Sequence, residues 1–235
     1  MSAGDAALLA AGAAELGIVL DPAQSGQLIA LVDQLTAANA TFNLTAIRDR
    51  LGMLQKHVLD SLSIQPYLRG LRIADVGTGA GFPGLPLAVV NPERQFCLIE
   101  ATGKKARFVQ GAAHGLGLAN VEVVHARAES YRPDLPFDTV VARALASVED
   151  FVGYAGHLCA PDGRLLAMKG RHPAAELAML PSGVRVIAVH RLRVPGLDDE
   201  RHLVELCPAC TGSSRSRIKK GGSAKPPPPS ISRPR

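Results

Sequence analysis

The stretch Ile73-Ala-Asp-Val-Gly-Thr-Gly-Ala-Gly-Phe-Pro-Gly-Leu-Pro86 decides how this chain reads. Residues 73–76 carry the apolar alternation of a buried strand. The turn that follows holds Gly77, Gly79, Gly81 and Gly84. Such a turn leaves the backbone bare, so a ligand can approach the main chain and positive φ carries little penalty. Asp75 stands two residues before the first glycine, at the end of the strand. Spacing excludes two familiar alternatives. A dinucleotide fingerprint beginning at Gly77 needs a glycine at 82, where Phe82 stands. A P-loop needs a closing Gly-Lys-Ser/Thr, and this stretch contains no lysine.

Outward from that turn the chain alternates. Strand patterns fall at 72–76, 95–100, 121–125, 138–142, 164–169, 184–192 and 201–206, and helical patterns at 85–90, 104–116, 148–159 and 173–180. Repeated strand–helix units predict an α/β fold with a parallel sheet covered on both faces. The last two strands have no helix between them and predict an antiparallel hairpin at one edge. Residues 1–70 read as a helical extension, with helices over 5–17 and 53–62. Between them Asp21-Pro22 serves as N-cap and first helical residue of another. The domain scheme is therefore an extension over 1–70, a Rossmann-like domain over 71–210 and a tail over 211–235.

The 235 residues suit one medium domain with modest additions, and 47% hydrophobic content argues for a globular chain. The formal charge is +5, but its location changes its meaning. Seven of the 26 Lys/Arg and none of the 21 Asp/Glu lie in residues 211–235, which leaves 19 basic and 21 acidic residues before them, a net of −2. That tail, Pro/Ser-rich with Pro226–Pro229 in a row, cannot bury enough apolar surface to fold. The domain itself is nearly neutral, so any nucleic-acid affinity must come from local clusters. Four cysteines at uneven spacing make no disulfide framework. Cys207-Pro-Ala-Cys210 is half of a zinc site at most, with His202 the only nearby ligand, so no metal is expected. No apolar run reaches membrane-spanning length and the N-terminus carries no basic leader, so the expectation is a cytoplasmic protein without a membrane partner.

In open α/β sheets, ligands bind beyond the carboxyl ends of the strands. That rule selects Gly77, Thr78, Gly79, Gly81 and Phe82 after the first strand and Glu100 at the end of the second, an acid suited to ribose hydroxyls. It also selects Ala128 and Glu129 after the third strand and Arg143 after the fourth. Asp75, with the glycines behind it, resembles the first motif of class I S-adenosylmethionine-dependent methyltransferases. The segment Val140-Val-Ala-Arg-Ala-Leu145 lacks the Asn/Asp-Pro-Pro-aromatic run of exocyclic-amine methylation and the cysteine of cytosine-C5 methylation. Guanine N7 carries an in-plane lone pair and no proton. A methyltransferase acting there needs positioning rather than a general base.

The whole series is similar to the small-subunit rRNA methyltransferase G family, also called glucose-inhibited division protein B. The resemblance rests on Asn43-Leu44-Thr45, His57 with Asp60-Ser61, the glycine turn, Gly103-Lys104 with Arg107-Phe108, Arg143-Ala144, Lys169-Gly170 and Arg201-His202-Leu203, and covers about residues 20–207. It implies a seven-stranded class I methyltransferase fold, S-adenosyl-L-methionine as cofactor, and 16S rRNA or the small ribosomal subunit as partner. It further implies methylation at guanine N7, and cofactor contacts from Gly77, Phe82, Ala128, Glu129 and Arg143. Glu100 departs from the aspartate that many members carry. Lys169, Arg171, Arg201 and His202 are the candidates for RNA contact; the alternative is that charges on an edge strand only block aggregation. His57, Asp60 and Ser61 share one helical face, to close over a ligand or to join the extension to the sheet. Catalytic residues are unassigned, and a monomer is expected. Two other readings stay open: a methyltransferase with a small-molecule or protein substrate, and a non-catalytic RNA-binding protein of the same fold.

Overall fold

The computed structural model describes residues 3–144, 147–181 and 183–208. The basic tail over 211–235 and Cys210 lie outside the described residues.

Seven strands form one sheet in the order β3-β2-β1-β4-β5-β7-β6. They are β1 (Arg72–Val76), β2 (Gln95–Glu100), β3 (Val121–His125), β4 (Phe137–Arg143), β5 (Cys159–Lys169), β6 (Val184–Leu192) and β7 (Arg201–Pro208). The first five run parallel, and β7 lies antiparallel between β5 and β6. The strand order reverses beside β1, where β1 pairs with β2 on one side and β4 on the other. A crevice for ligands opens at such a switch point. The expected hairpin is present, but the chain passes over one position before turning back, so β6 rather than β7 is the edge.

Strand periodicity sorts the side chains into two cores. Ile73, Leu98, Val141, Leu166 and Leu203 face one layer, and Ala74, Ile99, Val140, Leu165 and Val204 face the other. The first layer is roofed by α1 (Ala3–Glu15), α2 (Pro22–Phe42), α5 (Gly84–Val90) and α6 (Gly103–Gly115), and the second by α7 (Val148–Ala155). Leu9, Leu28, Leu31 and Leu35 from the helical extension share a core with the sheet. At α2 the Asp21 carboxylate accepts from the Gln24 amide and the Gln24 side chain accepts from the Asp21 amide, the reciprocal cap that Asp-Pro announces.

A helical run joins the extension to the site: α3 (Arg50–Met53), a π-helical segment (Leu54–Leu59) and α4 (Asp60–Leu62). π-turns interrupt α-helices mostly where side chains must be re-aimed. Three sequence expectations need correction. The helix at 148 ends at Ala155, a 3-10 turn follows, and Cys159 opens β5 by pairing with Phe137. The helix expected over 173–180 shrinks to α8 (Ala174–Leu177): Pro173 is its N-cap, and Pro181 disfavours helical geometry at Leu180. Arg143 is the last residue of β4 rather than the first beyond it.

Candidate functional site

The glycine turn is built from the backbone up. The amides of Gly77 and Thr78 donate to the Ile99 carbonyl (2.9 and 3.2 Å), which anchors the turn to β2. Gly77 and Gly79 take φ of +67° and +64°, a region that side chains disfavour. A Cβ built on Gly77 meets nothing within 4 Å, so the bare main chain faces open space. Gly84 answers a different need, because its Cβ would strike Leu98 and Asp75. Asp75 is fully buried. Its Oδ2 accepts from the Thr78 hydroxyl (2.6 Å) and the Gly84 amide (2.8 Å), while its buried Oδ1 has no partner. Burial pushes this carboxyl up to about 6, against the pull of those two donors.

Two cavities meet at Gly77. One, of about 170 Å³, is lined by Gly77, Ile99, Ala101, Ala128, Glu129 and Tyr154 among others. Its apolar walls and the phenol edge suit a flat heteroaromatic group. The second, of about 260 Å³, lies toward Thr45, His57, Phe82, Lys105 and Arg143. Glu100 sits beneath the junction: its Oε2 accepts from the Gly79 amide (2.9 Å) and its Oε1 from the Thr102 amide (2.7 Å). The acid read as a ribose ligand is therefore also a strut of the turn, and only its remaining lone pairs can reach a ligand.

Beyond Arg143 a third cavity of about 520 Å³ opens over the ends of β4, β5 and β7, lined by His57, Asp60, Arg143, Lys169, Arg201 and His202 among others. Asp60, 4% exposed, bridges two arginines. Its Oδ2 lies 3.3 Å from Arg143 Nη1 and its Oδ1 3.2 Å from Arg201 Nε. Burial pushes the Asp60 carboxyl up, and both guanidinium groups oppose that. His57 stacks on Phe82 with ring centroids 4.8 Å apart, and the Arg143 guanidinium lies 5.5 Å from the same Phe82 ring. Burial, and then Arg143, push the imidazole down to about 4, so the ring is neutral at pH 7. Arg143 donates toward Nδ1 (3.4 Å), which leaves the proton on Nε2 to donate to the Thr45 hydroxyl (2.8 Å). Ser61 does not join them: it is fully buried and donates to the His57 carbonyl.

The four residues expected to contact RNA are divided. Lys169, Arg201 and His202 line the third cavity, and Arg171 is exposed outside it. Lys169 is paired with Glu176 (2.9 Å), whose other oxygen accepts from the Val148 amide at the start of α7. His202 is buried, with Nδ1 3.2 Å from the Gly170 carbonyl. Sequence reasoning missed Tyr154, Glu176 and the bridging role of Asp60; each partnership spans elements far apart in the chain, and only the motif spacing around Asp60 hinted at one of them. Cys207 is buried in β7, 3.6 Å from Arg185 Nη2. A larger cavity, about 730 Å³, lies among Glu15, Arg191, Arg193, Asp198 and their neighbours on the β6–β7 connection. It lies away from the glycine turn.

A parallel sheet reversing at β1, an antiparallel β7 and a glycine cradle after β1 define a class I S-adenosylmethionine-dependent methyltransferase. Its likeness to solved structures includes a SAM-dependent methyltransferase from Aquifex aeolicus, with a TM-score of 0.50 at 21% identity, covering 66% of this chain and 92% of that one. Residues 24–204 match the family described as rRNA small subunit methyltransferase G. A curated relative of that name from Aeromonas salmonicida is 49% identical over 191 residues, 81% of this chain and 92% of the relative. Another, from Pseudomonas aeruginosa, is 49% identical over 199 residues, 84% and 93%. The chain belongs to the rRNA small subunit methyltransferase G family. It is an enzyme that uses S-adenosyl-L-methionine, and the open backbone cradle at Gly77, between an apolar cavity and a polar one, fits that cofactor.

Proposed function

We propose that this enzyme methylates N7 of one guanine in 16S rRNA by direct in-line transfer without a general base. One observation carries the choice of atom: around the second cavity, near Phe82 and Arg143, Asp60, Glu100 and His57 are already engaged, and the one free acid oxygen nearby among the described residues, Asp75 Oδ1, is buried out of reach. Asp60 bridges two arginines, Asp75 Oδ2 and both Glu100 oxygens hold backbone or hydroxyl donors, and both His57 nitrogens have neighbours. A site that must deprotonate an amine keeps a base free; guanine N7 has no proton to lose. When bound, the cofactor supplies an electrophilic methyl group on a sulfonium.

The chain's own residues divide the remaining work. Gly77 and Gly79 seat the cofactor through bare backbone, and Asp75 acts from beneath by bracing Thr78 and Gly84. Ala128, Glu129 and Tyr154 enclose the adenine. Phe82, His57 and Arg143 form the wall between cofactor and target base. A neutral His57 adds no positive charge beside a sulfonium, and the aromatic faces of His57 and Phe82 favour the cationic purine that forms. The same reading has the enzyme act as a cytoplasmic monomer, with Lys169, Arg201 and His202 around the base.

Transfer of labelled methyl to 16S RNA lacking the modification tests this, with sites mapped by the strand scission that 7-methylguanine permits. Label at one guanine is the expected result. Label on a base amine, or on no RNA at all, overturns it.

A further inference from the structure

The two rims of the continuous groove are charged differently. On the β5–β7 side each lining cation has an acid partner: Lys56 with Asp199, Lys169 with Glu176, and Arg143 and Arg201 with Asp60. The opposite rim, made by the end of α2 and the start of α6, is not neutralised in this way. Among the described residues, Arg48, Lys104, Lys105 and Arg107 have no acid within salt-bridge distance. The helix α6 contains no acidic residue. Asp49, the acid nearest Arg48 in sequence, accepts from the Gly52 amide (2.6 Å) as the cap of α3.

An aromatic ring stands in this rim. Phe42 closes α2 with 47% of its surface exposed, where burial is the rule for its type. The Lys104 ammonium reaches the Phe42 carbonyl (3.4 Å), and Arg48 donates to Asn43 (2.9 Å) beside it. Leu44, Thr45 and Lys105 continue directly into the transfer cavity. Backbone-tracking cations around an exposed aromatic face are the recurring means of holding single-stranded nucleic acid without reading its sequence.

We infer that Phe42, Arg48 and Lys104 form a platform for single-stranded RNA next to the target guanine, with a neighbouring base stacked on Phe42. This rests on the RNA substrate proposed above. The target base lies on the charge-neutral side, where stray phosphate attraction is weakest, and the strand leaves over the basic side.

Affinity of the full chain for protein-free 16S RNA, measured with S-adenosylhomocysteine present and across a salt series, tests the platform. Phe42→Ala weakens binding about tenfold with the salt slope unchanged, and Phe42→Tyr restores it. Arg48→Ala with Lys104→Ala lowers the slope of log affinity against log salt by about 1.4, at ~0.7 per phosphate of a single strand. Cofactor affinity stays at the wild-type value in all three and serves as the folding control. RNA affinity and slope unchanged in every variant overturn the platform. Defects seen only with assembled subunits also overturn it, because the surface then meets protein. Wild-type binding without methyl transfer to 16S RNA or small subunits refutes the proposed reaction and leaves the platform standing; absence of binding to protein-free RNA by the wild type refutes the platform alone.

Discussion

The two halves of the groove are made of different material. The glycine-turn side is backbone: amides of Gly77, Gly79 and Thr78 tied into the turn, a bare stretch of main chain, and acids such as Asp75 and Glu100 used to brace it. The side around Arg143 is side chain: Asp60, Arg143, Arg201, His57 and Phe82, delivered by four separate segments. Backbone recognition tolerates almost no substitution at a glycine but needs few identities elsewhere. Side-chain recognition depends on every member of the cluster and on the fold that gathers them.

Substitutions should separate the halves. Gly77→Asp is expected to have the largest effect, since it fills the cradle and imposes a side chain at φ +67°. Cofactor affinity measured by calorimetry should fall by about 1000-fold, about 4 kcal/mol, with little change in RNA affinity. Wild-type cofactor affinity in this variant would mean that the cradle is not the seat. Asp60→Ala attacks the other half. The largely buried Arg143 loses its counter-ion and Arg201 keeps only the exposed Asp199 at 3.6 Å, and urea denaturation should show a loss of about 3 kcal/mol. A destabilisation well under ~1 kcal/mol would make the bridge a mere surface pair.

The third experiment is a pH series. His57 is neutral when folded down to about 4, whereas an unfolded histidine takes up a proton near 6.5. Its contribution is therefore complete above pH 6.5 and is lost as pH falls toward 4, approaching about 3 kcal/mol. Asp75, raised to about 6, acts with the opposite sign, since its contribution is lost as pH rises through that value. Only the difference between wild type and His57→Gln isolates the ring. That difference should shrink as pH falls from 6.5 to 4, and a constant difference would contradict a buried neutral imidazole. The smallest effect is expected from removing residues 211–235: unchanged cofactor affinity and, at most, weaker RNA binding at low salt.

The same contrast explains what could be read before the structure was known. The cradle is contiguous, so Gly77, Gly79, Gly81 and Gly84 announce it within eight residues, and strand-end logic adds Glu100, Ala128 and Arg143. The sheet was legible because alternating apolar runs are local. The clamp was not: Asp60 and Arg201 are 141 positions apart, and nothing in either neighbourhood specifies the other. Glu176 and Tyr154 present as ordinary helical residues until α7 packs against the sheet. Lys169 and Arg201, read as open cations, proved to be paired, since a lysine in sequence carries no record of the acid it will meet.

The order in which the chain is synthesised gives this asymmetry a temporal side. The glycine cradle, β2 and the first half of the sheet are complete once residue 143 has been added, and N-terminal portions generally fold first during translation. Asp60 must wait for Arg201, carried by the last strand in the described fold, which slots between β5 and β6. A nascent polypeptide thus has every residue of its glycine turn well before every residue of the Asp60 bridge. A product truncated before residue 201 would leave Asp60 with Arg143 as its single counter-ion.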